Sequence, residues 1–72
     1  MKIEYFPETD SLYIELVHKP GVDTVVVGEG IVLDIDEQGH VVGIDIDQAE
    51  KHVDLQHLDL TKIPFDVKQA VV

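Results

Sequence analysis

Apolar and polar residues alternate with a period of two in several short runs of this chain, the spacing of half-buried strands rather than of helices. Ile3 and Tyr5 alternate with Lys2 and Glu4, and Leu12, Ile14 and Leu16 alternate with Tyr13 and Glu15, which predicts two strands with one apolar face each. Between them, Phe6-Pro7-Glu8-Thr9-Asp10-Ser11 reads as a hairpin loop. Pro7 fixes φ and cannot donate to a ladder, and Asp10 or Ser11 can bond nearby backbone amides. His18-Lys19-Pro20-Gly21 is the next break, after which Val22 to Val27 predicts a third strand. The two glycines of Gly28-Glu29-Gly30 then point to a turn or a bulge.

The clearest hairpin follows. Ile31, Leu33 and Ile35 alternate with Val32, Asp34 and Asp36, and beyond Glu37-Gln38-Gly39-His40 the strand Val41 to Ile46 repeats the pattern. A four-residue loop from Glu37 to His40 sets Ile35 opposite Val42, Leu33 opposite Ile44 and Ile31 opposite Ile46, one unbroken apolar face. A three-residue loop ending in a Gly39 bulge would pair Asp34 with Val42 and mix the faces, so the first register is expected. After Ile46 the period changes. Asp47 and Glu50 have the spacing of a capping box, and Gln48 to Val53 predicts a helix of two or three turns, with Ala49, Val53 and Leu55 toward the sheet. His57-Leu58-Asp59-Leu60 is too short for more than an edge strand or extended arm, Pro64 ends it, and Phe65 to Val72 gives no signal. The expected architecture is α+β and β-dominated: a small antiparallel sheet of about five strands, built from hairpins, with one short helix in the C-terminal half. Residues 1–56 form a single β-rich domain, and 57–72 an extension rather than a domain.

Composition strengthens this picture, since Val and Ile number 19 against 2 Ala. It also adds a constraint. At 72 residues without cysteine, folding buries only roughly 60% of the chain's surface and a lone core is marginal. A second copy or another protein is therefore expected to complete the core, as a homodimer or higher homo-oligomer. The charge is lopsided: 15 Asp and Glu against 5 Lys and no Arg, a net charge of −10. Phosphate backbones and anionic membranes repel such a surface, which argues against direct nucleic-acid binding and against a membrane role. A basic protein partner fits it. The absence of cysteine, of a signal-peptide pattern at the N-terminus and of a long apolar run points to the cytoplasm.

Three motifs in order, Tyr5-Phe6-Pro7-Glu8-Thr9-Asp10-Ser11-Leu12-Tyr13-Ile14, Gly30-Ile31-Val32-Leu33-Asp34-Ile35-Asp36 and Gly39-His40-Val41-Val42-Gly43-Ile44-Asp45-Ile46, resemble the prokaryotic domain of unknown function family numbered 2283. That family reads Tyr-x-Pro-Glu-x-Asp-x-Leu-Tyr-Ile near its start and Gly-x-Val-Val-Gly-Ile-Glu-Ile before a short Ala-Ser helix. Asp45 stands here where Glu is usual, and Gln48-Ala49-Glu50 replaces Asp-Ala-Ser. The resemblance implies a small antiparallel sheet with one helix and an antitoxin or toxin-partner role, with no catalytic set to carry over. It marks Tyr5, Pro7, Asp10, Tyr13, Gly39 and Gly43 as structural motif positions.

Two chemical readings compete for the acidic hairpin. Asp34, Asp36 and Gly39, with Asp45 at the twelfth position, copy part of a calcium loop, but both flanks have strand rather than helix periodicity. In the expected register Asp34, Asp36, Asp45 and Asp47 all leave the apolar face and form one carboxylate patch. Such crowding raises pKa values and in a cleft marks acid–base work; on an open sheet it marks a solvated surface or a docking site for Lys and Arg. About 70 residues seldom enclose a pocket, so the docking reading leads and no enzyme activity or cofactor is expected. A metal- or ligand-binding protein or minor hydrolase using Asp34, Asp36 and Asp45 is the alternative. His18, His40, His52 and His57 lack metal-ligand spacing, Ser11 lacks a nucleophile-elbow context, and Gly28-Glu29-Gly30 lacks the third glycine of a phosphate loop.

Overall fold

The computed structural model describes residues 1–64. Five strands, β1 (Lys2–Phe6), β2 (Ser11–Glu15), β3 (Asp23–Gly28), β4 (Ile31–Ile35) and β5 (Val41–Ile46), precede a one-turn helix α1 (Ala49–His52). All neighbours are antiparallel and the sheet order is β1-β2-β5-β4-β3, so the last strand in sequence is central. The predicted fold class and hairpins are present. Residues 57–64, the described part of the expected arm, carry no strand, and Leu58 is 73% exposed. The remainder of that arm, 65–72, lies outside the described residues.

This order makes the chain cross from β2 to the far edge at β3, over the ends of β5 and β4. Leu16 and Val17 both donate their amides to the Val42 carbonyl, at 2.9 and 3.2 Å, and Val22 N–H reaches the Ile35 carbonyl at 2.8 Å. Midway, Lys19 Nζ donates to Asp36 Oδ2 at 2.9 Å. The crossing segment is thus tied to the end of β4 by an ion pair.

The register of the β4–β5 hairpin corrects one expectation. Ile31 faces Ile46 and Leu33 faces Ile44 as predicted, but Ile35 faces Val41 rather than Val42. The loop is the three-residue form: Gly39 takes φ +83°, its N–H donates to the Asp36 carbonyl at 3.0 Å, and Asp36 N–H donates to His40 O at 2.9 Å. A second irregularity between Asp34 and Ile35 then restores the pairing deeper in the sheet. Two compensating shifts keep the apolar face intact, an outcome that testing one uniform register excludes by construction. At the β3–β4 turn, Gly28 pairs with Ile31 after a shift beyond Val26, and Gly30 has φ +75°, so this Gly-x-Gly is both a bulge and a turn.

The helix is shorter than expected, yet its packing agrees. Ala49 is fully buried with Leu12 and Ile46, and Val53 and Leu55 pack on that cluster together with Ile31 and Ile44. The expected capping box from Asp47 does not form. Asp47 Oδ1 instead accepts the adjacent Gln48 N–H at 3.1 Å, and Gln48 itself is left-handed at φ 48° with no side-chain cap.

A candidate protein-interaction face

Strand alternation divides the sheet into two unlike surfaces. On the helix side, one cross-strand row runs Tyr5, Leu12, Ile46, Ile31, and the next runs Ile3, Ile14, Ile44, Leu33, Val25. On the opposite side the rows run Glu4, Tyr13, Asp45, Val32, Val26 and Lys2, Glu15, Gly43, Asp34, Thr24. The carboxylates Glu4, Glu15, Asp34 and Asp45 therefore share the surface away from α1.

Three of the four predicted aspartates meet there. Asp45 sits between Asp34 and Asp47, and its pKa is raised first by partial desolvation and then by the negative fields of those two neighbours. Among the described residues, no lysine or histidine pairs with any of the three; Lys2 lies against Glu4 at 3.5 Å and Lys19 against Asp36.

Asp36 is the exception and the expectation for it is corrected. It is 4% exposed, and its carboxylate accepts from Lys19 Nζ at 2.9 Å and from the backbone amides of Gln38 and His40, each at 2.9 Å. The Lys19 hydrogen bond, followed by the His40 amide, holds its pKa down at about 2 despite opposing desolvation. A carboxylate folded back over its own turn is engaged in shaping the hairpin. It cannot join the docking patch, nor share a cation with Asp34 and Asp45, and no three acidic or imidazole side chains converge as a metal site among the described residues.

The motif positions acquire distinct physical roles. Tyr13 Oη donates to Asp34 Oδ2 at 3.0 Å across β5, which lies between their strands. Its ring crosses position 43, where a Cβ would collide with the hydroxyl and stand 2.8 Å from Cζ. Glycine at 43 is thus the condition for this bond. Burial, then the bond to Asp34, raises the Tyr13 pKa. Tyr5 lies on the other face, where its hydroxyl donates to Asp10 Oδ1 at 2.8 Å, and this bond is the leading cause of its raised pKa.

Asp10 lies in the β1–β2 turn, and its bonds differ from the local ones expected. Instead of bonding nearby amides within its own turn, it reaches forty residues along the chain. Its backbone carbonyl accepts from Ala49 N–H at 2.8 Å, and its carboxylate from Glu50 N–H at 3.3 and 3.4 Å. The first free amides of α1 are satisfied from the β1–β2 turn, with Asp10 itself left-handed at φ 52°. Periodicity carries no signal for a cap supplied by a distant loop. Pro7 sits within that same exposed turn.

The histidines are dispersed: His18 contacts Glu15, His40 lies 3.8 Å from Asp36, and His52 lies beside Gly30. No helix among the described residues is long and apolar enough to cross a membrane. Concavities on the sheet are shallow; one, of about 590 Å³, is a groove between Tyr5, Glu50 and residues 53–56.

No curated protein and no solved structure matches the chain. Residues 2–49 do match the family described as protein of unknown function (DUF2283). That span holds all five strands, the Asp10 turn and the Tyr13–Gly43–Asp34 contact, and the chain belongs to this family.

Proposed function

We propose that the protein is a non-catalytic, cytoplasmic interaction module whose acidic sheet face docks a basic protein, as the antitoxin or partner of a small basic toxin-like protein. One observation carries the reading. Asp34, Asp45 and Asp47 lie close together with no cation paired to them among the described residues, and the Asp45 pKa is raised by desolvation and then by the fields of Asp34 and Asp47. Lysine or arginine side chains of a partner relieve that repulsion and gain charge-assisted hydrogen bonds. The toxin-partner role rests on the family resemblance. The openness of the surface supports a binding face, because general acid–base chemistry uses a site that shields its groups from water.

Co-expression with the product of an adjacent gene, followed by co-purification at low and moderate salt, tests this. The expected result is a stoichiometric complex that weakens as salt rises and is lost in the Asp34→Asn/Asp45→Asn/Asp47→Asn variant. Recovery of the protein without a basic partner at either salt concentration refutes the reading.

A further inference from the structure

β3 forms one edge of the sheet. Hydrogen-bonding direction alternates along a strand, and the loop bonds fix its phase here. Asp47 N–H donates to Gly30 O at 2.7 Å, on the β5 side, so Ile31, Leu33 and Ile35 address β3; Ile35 O accordingly accepts Val22 N–H. Their partners Val25 and Asp23 turn their backbone groups inward, which leaves the N–H and C=O of Thr24 and Val26 pointing out of the sheet. Thr24 N–H agrees with this phase, because it donates to the Asp23 carboxylate at 2.8 Å rather than to β4.

Exposed edges are ordinarily blunted by charge, especially lysine, or by proline. β1, the opposite edge, carries Lys2 and Glu4 and runs into Pro7. β3 reads Asp-Thr-Val-Val-Val-Gly, without lysine or proline, and Val25, Val26 and Val27 are 42%, 73% and 54% exposed. Beside its start lies a groove of about 420 Å³ lined by Gly21, Val22, Asp23, Thr24 and Asp34. The bond to Thr24 N–H holds the Asp23 carboxylate at the edge itself, and Asp34 is paired with Thr24 on the adjoining strand. Among the described residues, no lysine or histidine forms an ion pair with either carboxylate.

We infer that the basic partner proposed above, on whose existence this step rests, adds an extended segment to β3 as a sixth, antiparallel strand, with a lysine or arginine seated in the groove between Asp23 and Asp34. Strand addition of this kind takes its affinity from main-chain hydrogen bonds and its specificity from alternate side chains. A residue opposite Thr24 points to the acidic face, where a long cationic side chain passes over the short Thr24 toward Asp34. The intervening positions point to the helix side and continue the row Ile3, Ile14, Ile44, Leu33, Val25, so they are apolar. Charge selects this occupant over a second copy. A copy pairing through the same edge brings a net charge of −10 and a second Asp23 to a site that already holds Asp23 and Asp34.

An end-capped hexapeptide of alternating lysine and valine, titrated into the full chain and followed by NMR, provides the test. It should bind, weaken as salt rises, and shift and protect the Val26 amide, whereas the matching glutamate–valine peptide should not bind. In an antiparallel added strand the residues opposite Thr24 and Val26, the lysines, direct their amides at the edge and the valines direct theirs away. Methylating the lysine amides should weaken binding at least about tenfold, the scale of the hydrogen bonds lost. Methylating the valine amides should leave it unchanged. Val26→Pro removes the outward donor without breaking a ladder bond and should lose binding to the same extent, with far-UV circular dichroism confirming the fold.

Equal binding of the two methylated peptides overturns the inference, whatever Val26→Pro does, and so does the absence of binding at millimolar peptide. A basic complex that is indifferent to Val26→Pro but lost in the triple aspartate variant leaves docking on the acidic face and removes the added strand. Edge binding of the peptide with no basic partner recovered removes the partner and leaves an edge that accepts basic strands.

Discussion

Gly43 and Tyr13 offer the sharpest quantitative test of how the sheet is organised. A methyl group at position 43 would collide with the Tyr13 hydroxyl and lie 2.8 Å from Cζ. The ring can relieve that clash only by leaving Asp34, which forfeits a hydrogen bond of about 0.5–1.5 kcal/mol and disturbs its packing over β5. Overpacking of this kind costs about 1–3 kcal/mol. Against it stands the usual gain from replacing glycine within a strand, roughly 0.5–1 kcal/mol. Gly43 is not in the left-handed region, so alanine brings no backbone strain of its own. Gly43→Ala in the wild-type background should therefore destabilise the protein by about 1–2 kcal/mol. In the Tyr13→Ala background the clash is absent, and the same substitution should stabilise by up to about 1 kcal/mol. Urea denaturation of the four proteins, at one fixed protein concentration, measures the change of sign. Equal destabilisation in both backgrounds would refute the claim that Tyr13 is what requires glycine at 43.

Three further outcomes follow from the same contacts. Asp10→Ala removes the carboxylate from the start of α1 and should cost about 0.5–2 kcal/mol, with the Ala49 to Val53 amides losing hydrogen-exchange protection first and Asp10→Asn largely retaining it. Asp36 has its folded pKa depressed to about 2 from 3.8, so its contribution is present above the unfolded value and is lost as pH falls through 4 toward 2. Denaturation midpoints across that range should fall steeply in the wild type and weakly in Asp36→Asn, and in Lys19→Met the Asp36 pKa, followed by NMR, should rise. Asp45 has the opposite sign: its raised folded pKa means that ionisation disfavours the fold, so Asp45→Asn should raise the midpoint at pH 7, with the gain disappearing on acidification until the wild-type carboxyl is protonated.

Much of the architecture was legible along the chain because side-chain alternation is a local property. The pairs Ile31 with Ile46 and Leu33 with Ile44, and the burial of Ala49, Val53 and Leu55, all follow from the period of two and its break after Ile46. The Asp36 assignment failed because alternation locates a side chain relative to the sheet but not relative to its own turn. At the end of β4 the chain folds back, and Gln38 and His40 present their amides to a carboxylate expected in solvent. The three-residue loop is illegible for a similar reason: a second shift at Asp34/Ile35 cancels the first, and a single register cannot contain both.

By itself, then, the sequence determined the class of fold, the hairpins and the parity that separates an apolar face from an acidic one. Those follow from backbone geometry within a few residues. Tertiary structure decided what depends on strand order. Placing β5 between β2 and β4 lays Tyr13 over Gly43 to reach Asp34, sends the β2–β3 segment across the strand ends where Lys19 meets Asp36, and brings the β1–β2 turn to the first amides of α1. These contacts join residues from 17 to 40 positions apart. Their formation depends on which strands become neighbours, a choice set by burying the whole apolar face together.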